Sequence, residues 1–75
     1  MNVTSNADSE RIKIYIDGIL HLRIPVDINT KIQSWREESS GLYVIEIWCI
    51  RHTERLEYEE RQLWIKILAI LDKLL

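Results

Sequence analysis

Residues 42–50 read LYVIEIWCI, the longest apolar run before the C-terminal segment. The run is rich in β-branched and aromatic residue types, which pack well on a pleated sheet. In an alternating strand, Glu46 is the only charged side chain on either face. A strand with one face in water alternates apolar and polar residues, so this stretch predicts a strand covered on both faces, either by its own chain or by a partner.

A hairpin is predicted upstream, where the runs RIKIYI and ILHLRI flank Asp17-Gly18. A two-residue loop would set Ile14 opposite His21 and mix apolar with polar side chains. A three-residue loop with Gly18 left-handed sets Ile14 opposite Leu20 and keeps the two faces distinct. The sequence favours the second register, in which the outer face carries Arg11, Lys13, Tyr15, Ile19, His21 and Arg23.

Residues 26–40 have apolar positions at i, i+4 and i+7, a spacing typical of a helix: Ile28, Ile32 and Trp35. Thr30 and Gln33 have the spacing of a capping box, and Gly41 suits the position just after a helix. We therefore predict a helix of roughly ten residues between the hairpin and the apolar strand.

Residues 55–58, RLEY, fit either a strand or an early start of the last helix. As a strand after a loop of even length, they would put Leu56 and Tyr58 on the same face as Ile45 and Ile47. Both alternatives stay open from the sequence alone.

The last segment, residues 59–75, predicts a long amphipathic helix. Glu59 and Glu60 would lie in its first turn and Lys73 in its last, as the helix dipole favours. Its apolar residues cover a wider arc than the ~100° that a surface helix needs. The surplus apolar surface supports self-association of the chain.

These elements predict an α+β two-layer sandwich of order β-β-α-β-(β)-α, with two helices on one face of a three- or four-stranded sheet. The strand order is left open. Residues 1–9 are polar and aperiodic, which predicts a disordered N-terminal arm, and residues 10–75 form a single α+β domain.

The composition favours a small cytoplasmic protein. The 75 residues carry a net charge of −2 with acids and bases interspersed, which makes nucleic acid an improbable partner. The single cysteine, Cys49, cannot form an internal disulfide, which indicates a reducing compartment. The chain shows neither a secretory signal nor an apolar segment of the ~20 residues that span a membrane.

No catalytic, cofactor or metal site is predicted. His21, Cys49 and His52 are the only soft or imidazole ligands, and they lack metal-ligand spacing. Each of the two glycines has a turn assignment, so no phosphate-binding loop is expected. The acids at 57, 59 and 60 are the least excluded enzymatic group, but acids at a helix start are ordinarily solvated.

Two surfaces remain as functional hypotheses. The first is a homo-oligomeric interface, most simply a dimer, formed by the outer sheet face and the last helix: Val44, Trp48, Ile50, Trp64, Leu68 and Leu75. The leading hypothesis is therefore a non-catalytic interaction module that binds itself, with another protein as an alternative partner. The second is an anion- or nucleic-acid-binding patch on the basic hairpin face: Arg11, Lys13, His21 and Arg23.

Overall fold

A computed structural model of the chain describes residues 1–25, 27–50 and 52–75. Within them the elements are, in chain order, β1 (Val3–Ala7), β2 (Arg11–Ile16), β3 (Ile19–Pro25), β4 (Lys31–Arg36), β5 (Tyr43–Cys49), β6 (His52–Tyr58) and α1 (Arg61–Leu74). The strands form two antiparallel sheets, the N-terminal sheet β1-β2-β3 and the C-terminal sheet β4-β5-β6. Helix α1 packs against β1, β5 and β6.

One hydrophobic core joins both sheets and the helix. Its fully or almost fully buried side chains are Ile12, Ile14, Leu22, Ile24, Ile45, Ile47, Tyr58, Ile67 and Leu71. Because α1 contacts strands of both sheets, most of its wide apolar arc is used within the monomer. Among the described residues, no helix has the length and apolar content to cross a bilayer.

The predicted α+β sandwich with two helices is wrong, because the segment expected to form the first helix contains β4. In this strand Ile32 lies opposite Ile47, and Trp35 lies opposite Val44. Residues three apart in a strand point to opposite faces, so the apolar spacing reflects an edge strand that packs on both sides. Ile28 belongs to neither face and is 98% exposed.

The helix-ending signals in the same segment have other roles. The Thr30 hydroxyl donates to Cys49 Sγ at 3.8 Å rather than capping a helix. Gly41 does adopt a left-handed conformation, with φ of 74°, but it lies in the β4–β5 loop, where its N–H donates to the Glu37 carbonyl. Val26, the first residue of the predicted helical segment, lies outside the described residues.

The N-terminus also differs from the predicted disordered arm. Val3–Ala7 form β1, which pairs along the free edge of β2 with Val3 opposite Ile16. Most of β1 is exposed, so burial places little constraint on its side chains. This explains why a polar sequence without apolar alternation forms a strand here: backbone hydrogen bonds to β2 replace a hydrophobic face.

The first hairpin forms with a register that differs from the predicted one. Asp17 and Gly18, with φ of 50° and 81°, make a two-residue turn that sets Ile16 opposite Ile19. The pairing then shifts by one residue at His21, so that Ile14 lies opposite Leu22. The β-bulge corrects the mixing of faces that a two-residue loop alone would produce.

The remaining elements follow the predicted pattern more closely. β5 is the middle strand of its sheet, and both Ile45 and Ile47 are fully buried. Residues 55–58 are strand, with Leu56 opposite Ile45, as the even-length loop predicts. The helix begins later than predicted, at Arg61, so residues 59 and 60 precede its first turn.

Candidate interaction surfaces

An apolar surface lies where β3 ends and β5 turns into β6. We call it the apolar end, defined by Pro25, Ile28, Trp48, Cys49 and Ile50. Ile28, Trp48 and Ile50 are 98%, 48% and 67% exposed. Ile50 lines an open cleft of about 340 Å³, whose other described walls are Pro25, Asp27, Cys49 and His52. Exposed large apolar side chains at one end of a molecule, one of them in a cleft, are more typical of a binding surface than of ordinary scattered exposure.

A tight turn explains the exposure of Ile28. The Asp27 carboxylate accepts a hydrogen bond from the Asn29 N–H at 2.9 Å, and the Thr30 N–H donates to the Asp27 carbonyl at 3.0 Å. Thr30 in turn contacts Cys49, which holds the turn beside the end of β5. Ile28 is therefore presented by an ordered turn rather than by a loose loop.

Trp48 is held in place on the outer face of the C-terminal sheet. Its Nε1–H donates to the Glu46 carboxylate at 2.6 Å, and Lys31 lies opposite it on β4. The indole is thus fixed at its polar edge and open at its apolar surface. A fixed aromatic side chain loses little conformational entropy on binding, which suits an interface anchor.

Arg55 is the centre of an ion-pair cluster on the same outer face. Its guanidinium contacts the carboxylates of Glu37 at 2.7 Å, Glu57 at 3.0 Å and Glu46 at 3.7 Å. It also lies over the Trp35 ring, 5.5 Å from the centroid. The hydrogen bond from Arg55 holds the pKa of Glu37 below its usual value, while the bonds to Glu57 and Glu37 raise the pKa of Arg55.

The residues predicted for an oligomeric interface lie in different places. Trp48 and Ile50 belong to the apolar end. Val44 is fully buried in the middle strand, flanked by Trp35 and Glu57 on the neighbouring strands, so it offers no surface to a partner.

The helical members of that predicted set lie away from the apolar end. Trp64 and Leu68 are half-buried against the core of their own chain, and the Trp64 Nε1–H donates to the Val44 carbonyl at 3.0 Å. Leu75, which follows α1, is 46% exposed. These positions therefore contribute mainly to the fold.

A second cleft, of about 380 Å³, lies between the N-terminal sheet and β6. We call it the basic cleft, and its walls are Arg11, Arg23, Ile24, Pro25, His52 and Glu54. Within it His52 Nε2 and the Glu54 carboxylate are 2.8 Å apart. The structure thus brings two of the four predicted anion-binding residues, Arg11 and Arg23, to a common cavity.

The other two predicted anion-binding residues do not line this cleft. Lys13 is half-buried and lies opposite Arg23 in the sheet. His21 is the bulged residue, and its Nε2 forms a hydrogen bond of 2.6 Å with the Tyr58 hydroxyl. Partial burial lowers the pKa of His21 and raises that of Tyr58. The pair therefore links β3 to β6 in its neutral form, and the His21 imidazole has a structural role.

The three acids that the sequence offered for catalysis have different surroundings. Glu57 accepts a hydrogen bond from Arg55 Nε, whereas Glu59 and Glu60 are exposed just before α1. Among the described residues, no three His, Cys, Asp or Glu side chains are grouped as a metal ion would require.

The sequence did not indicate that Ile28 belongs to the apolar end or that His52 and Glu54 belong to the basic cleft. An aspartate two residues before an asparagine, in a segment after proline, was the available signal for the turn at Ile28. His52 and Glu54 alternate along β6 and face one side, but only the packing of β6 near β3 brings them to Arg11 and Arg23.

Comparison of the chain with models of known protein families found no match, and neither the curated proteins nor the solved structures that were compared with it gave one.

Proposed function

We propose that the protein is a non-catalytic interaction module of the cytoplasm that forms a homodimer through the apolar end. The observation that carries this proposal is the exposure of Ile50, which lines a cleft, together with that of Ile28 and Trp48, which adjoin the cleft residues Asp27 and Cys49 in the chain. Burial of such side chains stabilises association by about 1.5–3 kcal/mol for each one that is fully covered. A chain of 75 residues has a thin stability margin, which association would widen.

The charges at the rim support a second copy as the partner. Asp27 lies in the turn that carries Ile28, and Lys31 lies opposite Trp48. In a two-fold interface, when one residue contacts a second residue of the other copy, symmetry repeats the contact in reverse. An acid and a base on the rim of one copy can therefore pair with the base and the acid of the other copy. The net charge of −2 adds little repulsion between two copies.

The test is sedimentation equilibrium of the full chain at micromolar concentration. We expect a dimer for the unmodified protein and monomers for Ile28→Glu and Ile50→Glu, because a charge in an apolar contact is costly to bury. Both side chains are exposed in the monomer, so neither change should disturb the fold.

Ile19→Glu is the matched control. Ile19 is 73% exposed and lies at the opposite end of β3 from Pro25. We expect this variant to remain a dimer. A monomeric unmodified protein would refute the proposal, as would a dimer that Ile19→Glu dissociates while Ile50→Glu does not. Binding of a different protein at the apolar end by a monomeric chain would assign the surface to another partner.

A further inference from the structure

The basic cleft brings together two arginines that form no ion pair among the described residues, although the Asp8 carboxylate accepts a hydrogen bond from the Arg11 backbone N–H. Arg11 lies opposite Pro25 and Lys13 lies opposite Arg23, so the two arginines are diagonal neighbours on one sheet face. Every ion pair among the described residues involves Arg55 or His52, so neither Arg11 nor Arg23 has a carboxylate partner there. Like charges at this spacing repel unless an anion lies between them.

The opposite wall of the cleft is formed by His52 and Glu54. His52 projects from the start of β6, and its hydrogen bond with Glu54 fixes the orientation of the imidazole. The two guanidinium groups at this cavity form a donor set that suits the oxygens of phosphate.

The size and the apolar part of the lining indicate more than inorganic phosphate. A cleft of about 380 Å³ falls within the range of small-molecule sites, and Ile24 and Pro25 contribute apolar surface to it. We infer that the basic cleft binds a small phosphate monoester, with the phosphate between Arg11 and Arg23 and the organic body against Pro25. The basic cleft adjoins the apolar end at Pro25, but Arg11 and Arg23 lie outside that surface.

Glu54 provides a second test of the inference, because it is the one acid among the described lining residues. Its carboxylate already contacts His52, but its charge opposes a bound phosphate. Replacement by glutamine keeps the shape and a hydrogen-bond acceptor for His52 while removing the charge. Glu54→Gln should therefore tighten phosphate binding, the opposite of the arginine variants.

The experiment is isothermal titration calorimetry of the full chain with glucose 6-phosphate, inorganic phosphate and glucose. We expect glucose 6-phosphate to bind more tightly than phosphate and glucose not to bind. Arg11→Gln and Arg23→Gln should each weaken glucose 6-phosphate binding about tenfold, as expected for the loss of a charged hydrogen bond. Both arginines are exposed, so the fold should be kept, which circular dichroism checks.

Arg61→Gln is the matched control, since it removes an exposed arginine at the start of α1, outside the cleft. Its affinity should equal that of the unmodified chain. Equal weakening by Arg61→Gln and Arg23→Gln would overturn the inference in favour of general charge attraction, and so would absent binding. Tighter binding of oligothymidylate than of glucose 6-phosphate, lost steeply with salt, would overturn it in favour of nucleic acid.

Discussion

His21 and Tyr58 show how one extra residue in a strand can join two sheets. The bulge at His21 restores the inward alignment of Ile14 and Leu22 and brings the imidazole to the Tyr58 hydroxyl. β3 and β6 are not paired in either sheet, so this side-chain hydrogen bond is one of the links between them. A residue that appears misplaced in a simple alternating pattern therefore has a structural role.

The lowered pKa of His21 predicts a pH dependence of stability. Partial burial favours the neutral imidazole, so the unfolded chain takes up a proton more readily than the folded chain. The stabilisation is fully present above the ordinary pKa of about 6.5 and is lost as the pH falls below it. We expect the free energy of unfolding, measured with urea, to fall from pH 7 to pH 5, and His21→Gln to reduce that slope.

Tyr58→Phe provides the control, because it removes the hydrogen bond without removing the titrating group. It should lower the free energy of unfolding by about 1 kcal/mol at pH 8 and keep the slope between pH 7 and pH 5. An unchanged slope in His21→Gln would show that the titration of His21 does not contribute to stability.

At the scale of the elements, the first hairpin depends on its turn. Gly18 has φ of 81°, a conformation that side chains other than asparagine and aspartate rarely adopt, although no atom would contact an added Cβ. Gly18→Ala should therefore lower the free energy of unfolding by about 1 kcal/mol through backbone strain alone, as measured by urea denaturation. Gly18→Asn should lose less, and equal losses would contradict the strain argument.

β4 shows where sequence patterns for helix and strand overlap. A middle strand such as β5 has neighbours on both sides, and its dense β-branched composition predicted a strand here, although the strand order was left open. β4 lies at an edge, where Ile32 contacts the core and Trp35 packs on the outer face under Arg55. Two apolar residues three apart fit one helical face as well as two strand faces, and only the pairing with β5 decides between them.

β1 and the first hairpin show two further limits of local patterns. β1 is held by its pairing with β2 rather than by apolar side chains, so composition carried little signal for it. The hairpin was recognisable from Asp17-Gly18, but a bulge several residues away changed the register. The inward residues Ile12 and Ile14 were still predictable, because their burial depends on alternation and not on the loop length.

At the scale of the whole molecule, the structure explains which apolar surface the chain uses for itself. Helix α1 lies against both sheets, so the wide apolar arc seen in the sequence becomes core. The surplus is instead at the apolar end, of which the sequence indicated Trp48 and Ile50 but not Ile28. The basic cleft was half predictable: Arg11 and Arg23 follow from strand alternation, whereas His52 and Glu54 require the approach of β6.

The proposed dimer predicts that thermal stability depends on protein concentration. Association that favours the folded state raises Tm as the concentration rises, by mass action. We expect Tm from differential scanning calorimetry to increase over about two decades of protein concentration, from ~5 to ~500 μM. Ile50→Glu should show a Tm that does not change with concentration, and a constant Tm for the unmodified protein would contradict the dimer.

The Arg55 cluster has a consequence for how this chain tolerates mutation. Arg55 forms ion pairs with three acids, which lie in the β4–β5 loop, in β5 and in β6: Glu37, Glu46 and Glu57. Any single acid can be replaced while two remain to hold the guanidinium over Trp35, but loss of the base leaves three negative charges facing one another. Substitutions should therefore accumulate at the three glutamates one at a time, while the arginine stays fixed.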